Sequence, residues 1–467
     1  MFYRTVFRPW LCLMFLLSTH HAVFAQQKIL TLKEAVQNTL QNYGTLKAKA
    51  NYAKASAALL KETKREYLPN LNLSAQNDFG TVNSQYGPLY GLGGFAVSSS
   101  GPILSGQNWN SAFGALYLAN LNWDFFSFGK SKEKIKIAQS QVTLDQSDLV
   151  QEQFQQEVRV SGAYLNLLAS QQLAATQQNN LKRALALHDV IVARVKGGLN
   201  PGVDSSLANA EVASAQIALT NSQDIVQQQG NQLAQYISVA PVDFTLDSSF
   251  VSQIPKTLDT TTNINLTNHP VLQYFQNRIN ISSEREKYFK TFNYPTFSLF
   301  NIFQSRGSGF SNYSLTQTIY TQNYFDGVNP TRSNYLIGIG LSWNLTSPLR
   351  IHEQVRAQQF TSAGLRNEYE LANQQLSAQL ILSKTRIENA LRNYREAPIG
   401  LKAASDAYLQ KTVLYKNGLA TIVDVTQALY TLNRAETDRD IAFNNVWQAL
   451  LYKAAAAGDF GIFFNEF

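Results

Sequence analysis

Cysteine is almost missing from this sequence: Cys12 is the only one, beside two methionines, in 467 residues. No internal disulfide can form, so a chain of this length must hold its fold by packing. Charge is scarce as well, at 15% Asp, Glu, Lys and Arg together, against roughly 25% in an ordinary soluble domain. Long apolar runs are lacking too. No stretch approaches the roughly 18 consecutive apolar residues of a spanning helix, which excludes a polytopic helical membrane protein. What the chain does have is aromatic, with 22 Tyr and 27 Phe. Little charge and many aromatics exclude intrinsic disorder. A large folded chain remains, or a β-type membrane protein whose spans are short and alternating.

The usual signatures of chemistry are also missing. Of the five histidines, His188, His269 and His352 lie far from one another, and there is no HExxH, no Gly-rich phosphate loop and no GxSxG. Neither a metal nor a cofactor is expected. Asp204 and Asp424 each follow a glycine break, and a glycosidase-like carboxylate pair would be the enzymatic reading. Both sit at the ends of helical rods with no pocket-building scaffold around them, so an enzyme is not expected. The net charge of +7 comes without a compact Lys/Arg cluster, which argues against nucleic acid.

Residues 1–25 read as a secretory signal. Arg4 and Arg8 supply the positive end, Trp10 to Leu17 a short apolar stretch, and Val23-Phe24-Ala25 the small residues before a cleavage site. Cleavage would carry Cys12 away and leave a mature chain without a thiol. Cys12 lacks the small residues just before it that a lipid-anchoring box needs, so no acyl anchor is expected.

The chain matches itself. Leu121, Trp123 and Ser127 recur as Leu341, Trp343 and Ser347, and Gly198, Leu199, Val203, Asp204 and Ala208 recur as Gly418, Leu419, Val423, Asp424 and Ala428. All these pairs share one spacing, 220 residues. Upstream, Asn42, Leu46, Pro69 and Leu73 recur as Asn268, Leu272, Pro295 and Leu299 at a spacing of 226. One register held over so many residues implies a duplicated unit, 26–240 and 241–467.

Each unit repeats one order of elements: helix, strand, strand, long helical hairpin. The opening helical stretches (about 30–66 and 268–292) end at Tyr67-Leu68-Pro69 and Asn293-Tyr294-Pro295. Alternation then predicts strands at about 70–80, 114–126, 295–304 and 334–346. In the last, Tyr335, Ile337, Ile339, Leu341 and Trp343 alternate with Gly338, Gly340, Ser342 and Asn344, the period of two that sets one face in lipid and the other in water. The segments 81–113 and 305–333, rich in Gly, Ser, Asn and Tyr, read as exposed loops.

From Lys130 to Lys196 no proline and only Gly162 interrupt a run rich in Ala, Gln, Leu, Lys and Glu, which predicts one helix of roughly 100 Å. Ile135, Val142, Leu149, Val158, Leu165 and Leu168 lie near a 3.5 spacing, a coiled-coil-like seam. Breaks fall at 197–204 and 417–424. Pro398 and Gly400 predict a kink in the second run that the first lacks. Four short strands cannot close a barrel, and an open edge in lipid leaves backbone groups unsatisfied, so membrane-spanning strands would require oligomerisation.

Over its mature length the sequence resembles the TolC-like outer-membrane efflux and secretion channels. The most specific stretches are Gly198-Leu199 to Val203-Asp204 and Gly418-Leu419-Ala420-Thr421-Ile422-Val423-Asp424-Val425, which look like that family's two periplasmic tip motifs. The resemblance implies a mainly α fold with a small β part. Three copies would close a 12-stranded outer-membrane β-barrel continued by a periplasmic α-helical barrel. It implies a homotrimer in outer-membrane lipid, a periplasmic adaptor protein and an inner-membrane pump as partners, and a passive exit duct as the function. Gly198, Leu199, Gly418, Leu419 and Thr421 would dock the adaptor. Asp424 and Gln427 would line the pore constriction, and Tyr415 with Asp204 would form a tip latch. Gln427 stands where the better-known pattern has a second acid, and Ala420 where it has an arginine. These departures imply a less acidic, less tightly locked constriction. A secreted coiled-coil scaffold or adaptor without a pore is the alternative; the alternating strands count against it, because a scaffold needs no lipid face.

Overall fold

The computed structural model describes residues 29–83, 106–241, 243–247, 249–256, 264–313 and 318–466. The expected signal segment and most of the 81–113 loop lie outside the described residues. Helices α1 (Leu32–Asn42) and α2 (Gly44–Arg65) lead into strands β1 (Asn70–Thr81) and β2 (Ser111–Phe126), then α3 (Lys130–Lys196) and α4 (Gly202–Ile237). A one-turn α5 (Ser249–Ser252) precedes α6 (Pro270–Lys290) and β3 (Thr296–Ser308). Short strands β4 (Phe310–Tyr313) and β5 (Thr318–Tyr320), a single-turn α7 (Tyr324–Val328) and β6 (Arg332–Ser342) follow. The chain ends in α8 (Ser347–Lys416), α9 (Ile422–Ala457) and the short α10 (Gly461–Phe464).

Two local expectations are corrected. The opening stretch is two helices rather than one, because Tyr43 takes an extended backbone (φ −62°, ψ 126°) between them. The second long helix keeps its helical hydrogen-bonding pattern across Pro398, from Ser347 to Lys416. Pro398 is exposed, so water can replace the one ladder bond that its missing N–H removes. The 305–333 segment is not a plain loop: β3 continues to Ser308, and β4, β5 and α7 follow within it.

The chain divides into two compact units. One is helical, made of the first segment up to Gln37 with Ala163–Ile254 and Ala397–Asn444. Its core joins four helices: Leu187 and Ile191 of α3, Ala208 of α4, Tyr415 of α8, and Ile422 and Val425 of α9. A second layer packs Leu181, Ala184, Ala215, Leu219 and Leu429. Polar cross-links accompany the apolar contacts. Arg183 donates to both carboxylate oxygens of Glu436 at 3.0 and 2.6 Å, and the Thr176 hydroxyl donates to Asp440 at 2.8 Å.

The other unit (Asn38–Gly162, Pro255–Glu396, Asn445–Phe467) carries the sheet. Its strands run antiparallel in the order β1-β2-β3-β6. Short helices brace the long ones in matching fashion. Lys49 of α2 reaches Asp148 and Glu152 of α3 at 2.7 and 3.4 Å, while Arg278 of α6 reaches Glu368 of α8 at 2.6 Å. Where helix passes to strand, the Trp123 indole donates to the Tyr67 carbonyl at 2.8 Å, and the Trp343 indole donates to the Asn293 carbonyl at 3.1 Å.

Candidate functional site

The two helical turns, 197–201 and 417–421, are built alike. Gly198 and Gly418 take left-handed backbones, φ +68° and +75°, a conformation a side chain disfavours. In the first turn the Leu199 N–H donates to the Arg194 carbonyl (2.9 Å) and Gly198 N–H to Val195 (3.0 Å). In the second, Leu419 N–H donates to Leu414 (2.8 Å) and Gly418 N–H to Tyr415 (3.0 Å). These paired bonds satisfy carbonyls that a helix end leaves open. The leucine of each turn points outward: Leu199 is 72% and Leu419 75% exposed. Val203 and Val423, four residues on, are exposed as well. Each turn therefore presents an apolar pair at its surface.

At the first turn Asn200 is the hub. Its amide nitrogen donates to Asp204 Oδ2 at 2.6 Å and to the Tyr415 hydroxyl at 3.1 Å. Its Oδ1 accepts from Arg194 Nε at 2.8 Å. Arg194 also donates to the Lys416 carbonyl at 2.9 Å and lies 5.5 Å from the centre of the Tyr415 ring. Tyr415 and Asp204 thus meet through Asn200, with no direct bond between them. Burial, then the nearby Asp204 carboxylate, pushes the Tyr415 phenol above its ordinary 10.0.

At the second turn Thr421 and Asp424 form a reciprocal cap on α9. Thr421 N–H and its hydroxyl donate to Asp424 Oδ2 at 3.0 and 2.7 Å, and Asp424 N–H donates back to the Thr421 hydroxyl at 3.3 Å. Asp424 therefore stands three residues inside the cap rather than at it. Its other oxygen, Oδ1, accepts from Lys411 at 3.1 Å. The Thr421 hydroxyl bond, the Thr421 backbone bond and then Lys411 hold the carboxyl down to about 2 from an ordinary 3.8. Gln427, one turn further, is exposed.

The sheet offers two unlike faces. Register puts Leu73, Ala119, Phe303 and Tyr335 in one row across the four strands, next to the row Leu71, Leu121, Asn301 and Ile337. The opposite face of the first two strands carries Asn70, Asn72, Gln76, Asp78, Asn120, Asn122 and Asp124, with Ser298 donating to Asp124 at 2.6 Å. Within the described residues β1 and β6 each pair along one side only. Tyr67, Trp123, Phe125, Phe128, Tyr294 and Phe297 cluster where the strands meet the helices.

Arg194, Asn200 and Lys411 escaped the sequence reading. Asn200 carries no periodic signal, and Lys411 lies across the turn from its partner. The pattern Thr421-x-x-Asp424 did carry a signal, that of a capping box before an apolar run.

A family model described as outer membrane efflux protein matches residues 35–238. No curated protein sequence matches the chain. Among solved structures, the outer membrane protein VceC of Vibrio cholerae is 18% identical with a TM-score of 0.73, the match covering 92% of this chain and 96% of that one. The CmeC outer membrane channel of Campylobacter jejuni is 14% identical, with TM-score 0.74 and coverage of 91% and 85%. The open-state MtrE outer membrane channel of Neisseria gonorrhoeae is 14% identical, with TM-score 0.70 and coverage of 92% and 89%. At these identities the likeness is one of fold.

Proposed function

We propose, from the match of residues 35–238 to the outer membrane efflux protein model, that the chain is a member of that family and the passive outer-membrane exit duct of a tripartite efflux pump or type I secretion system. The observation that carries this reading is the open four-stranded sheet, apolar on one face, with β1 and β6 each paired on one side. Free edges cannot stand in lipid, because each unpaired backbone group there costs several kcal/mol. Closure requires β1 of one copy to meet β6 of the next, and three copies bring twelve strands, an even number above the minimum of about eight.

In this reading residues 1–25 export the chain and are removed. The duplicated halves, 26–240 and 241–467, each supply two strands and one helical hairpin. The matching indole bonds of Trp123 and Trp343 support the duplication, since they tie corresponding strand–helix joints to corresponding carbonyls. Exposed Leu199 and Leu419, beside Gly198 and Gly418 and with Thr421 adjacent, form the surface that a periplasmic adaptor grips. An inner-membrane pump supplies energy and cargo. Asp424 and Gln427 of each copy line the periplasmic constriction, and the Tyr415–Asn200–Asp204 network latches it.

Purified protein should run as a detergent-stable trimer and conduct ions in planar bilayers. A protein released from membranes by an alkaline wash, with no conductance, would instead be a scaffold.

A further inference from the structure

The segment after β3 folds back onto the sheet. Gly309 N–H donates to the Phe113 carbonyl, and Thr321 N–H donates to the Gly309 carbonyl, both at 2.8 Å; at the other end Thr331 N–H donates to Arg306 at 2.9 Å. Between these ties Asn323 caps α7 by accepting from the Phe325 N–H at 3.0 Å. The helix then lies flat on β2 and β3. Gly327 backs onto Phe113 and Gly307 onto the 327–329 backbone so closely that a Cβ at either position would collide. The Tyr117 hydroxyl donates to the Val328 carbonyl at 3.3 Å, and Asn77 donates to the Tyr324 hydroxyl at 3.0 Å.

The face that α7 covers is the informative part. Asn77, Phe79, Phe113, Ala115, Tyr117 and Gly307 all project from the apolar face by the strand register. The strap therefore sits on the outside of the wall rather than in the lumen. It seals Ala115, which is 5% exposed, and stacks Tyr324 edge-on against Phe113 at 5.2 Å. In return it presents new apolar surface: Phe325 is 76% exposed, Tyr324 43% and Ile319 56%, and Tyr335 on β6 is 79% exposed. In water such a cluster would be a liability. Aromatic side chains with a polar tip favour the level of lipid headgroups. The strap lies at the end of the sheet away from the strand–helix joints, which hold the other aromatic cluster, so the apolar band is bounded by aromatics at both ends.

We propose that the 321–331 strap is an interfacial anchor, with α7 lying at the outer-leaflet lipid–water boundary, Phe325 and Tyr324 among the headgroups, and the hydrocarbon layer ending below Ala115. The occupant of this surface is lipid, because the surface is continuous with the sheet's apolar face and is packed on β2 and β3, the strands that are paired on both sides. The proposal rests on the membrane-spanning reading of the sheet.

A mature chain without cysteine allows site-directed spin labelling with no background thiol. Phe325→Cys, Ile319→Cys, Ile339→Cys and Leu199→Cys would each be labelled in the trimer and reconstituted into phospholipid vesicles. Relaxation by a headgroup-anchored nickel chelate should be several-fold stronger at 325 and 319 than at 199, with 339 accessible to oxygen and shielded from soluble nickel. Labels at 325 and 319 that respond like the one at 199 would place the strap in water and overturn the proposal. Labels there shielded from both oxygen and nickel would mean that protein covers the strap, which also overturns it. A label at 339 that behaves as in water would bring down the membrane-spanning reading itself, so the two failures are distinguishable.

Discussion

Lys411 Nζ lies 3.1 Å from Asp424 Oδ1 across the α8–α9 turn. Each chain thus carries a counter-charge for the one carboxylate expected at its constriction. Both side chains are partly exposed, so the pair contributes little to stability. In the proposed trimer its importance would be electrostatic, because a neutralised ring attracts cations weakly. Lys411→Met should uncover Asp424 and raise cation preference, read as a shift of reversal potential in a salt gradient across a planar bilayer. Asp424→Asn should lower cation preference more in the Lys411→Met background than alone. Gln427→Asp should add to cation preference, as it sits on the same helical face. Because the Asp424 carboxyl is held at about 2 rather than 3.8, its charge, and the stability tied to that charge, is complete above pH 3.8 and is lost as pH falls toward 2. Selectivity that titrates between pH 4 and pH 6 would assign the effect to other groups.

Asn200 holds Arg194, Asp204 and Tyr415 in one network. Asn200→Ala leaves their polar groups unmatched, a loss of about 1–3 kcal/mol by the usual cost of an orphaned partner. The measurement is the denaturant midpoint of the helical unit in the detergent-solubilised protein. Asn200→Asp should lose more than Asn200→Ala, since it places a second carboxylate against Asp204. An unchanged midpoint for both variants would reduce the network to a surface arrangement.

The turns separate backbone from docking. Gly198→Ala and Gly418→Ala force a side chain into a left-handed backbone, with open space around the added atom. Each should cost about 1–2 kcal/mol and leave transport intact wherever the trimer forms. Leu199→Ser and Leu419→Ser alter exposed side chains, so the trimer should keep its melting behaviour while adaptor-dependent export falls. Gly418→Trp should abolish export with the trimer preserved. Normal export in all three would make the turns helix connectors only.

His269 caps α6. Its Nδ1 accepts from the Val271 N–H at 3.1 Å, and its Nε2 donates to the Ala455 carbonyl at 3.2 Å. Burial holds the imidazole below its ordinary 6.5. The folded state therefore binds fewer protons than the unfolded chain just below pH 6.5, and stability falls as pH drops through that range. Melting temperature should decline between about pH 7 and about pH 5 and flatten in His269→Asn, which keeps a capping acceptor. A slope unchanged by the substitution would place the titration elsewhere.

Much of this architecture was legible because local chemistry and global fold agree. Gly197-Gly198 and Asn417-Gly418 stop α3 and α8 where expected, since only glycine takes the required backbone cheaply. Alternation located the four long strands because one face of each is polar or small. Strand ends were harder to read. β3 runs four residues past the expected 304 because Gly307 and Ser308 pair with Ala115 and Gly114, and pairing across strands leaves no periodic trace. The strap was invisible for the same reason: it exists because Gly307 and Gly327 let two backbones touch, a contact between segments far apart in sequence. Tyr415 and Asp204 were named together, but Asn200, which joins them, is an ordinary turn residue on paper. Lys411 carries no sequence signal, because a partner 13 residues away falls outside any helical spacing.

Among the described residues the outer edges of β1 and β6 belong to the same molecule and are different from each other, so in the proposed ring the contact between copies would be head-to-tail rather than self-complementary. Such a ring has no partial form. A copy with a sound β1 and a damaged β6 joins one neighbour and then stops the circle. With equal amounts of sound and damaged chains in one cell, only about one ring in eight would be built from sound chains alone. A lesion confined to one edge strand would therefore behave genetically as dominant, whereas a lesion that prevents the chain from folding would be recessive.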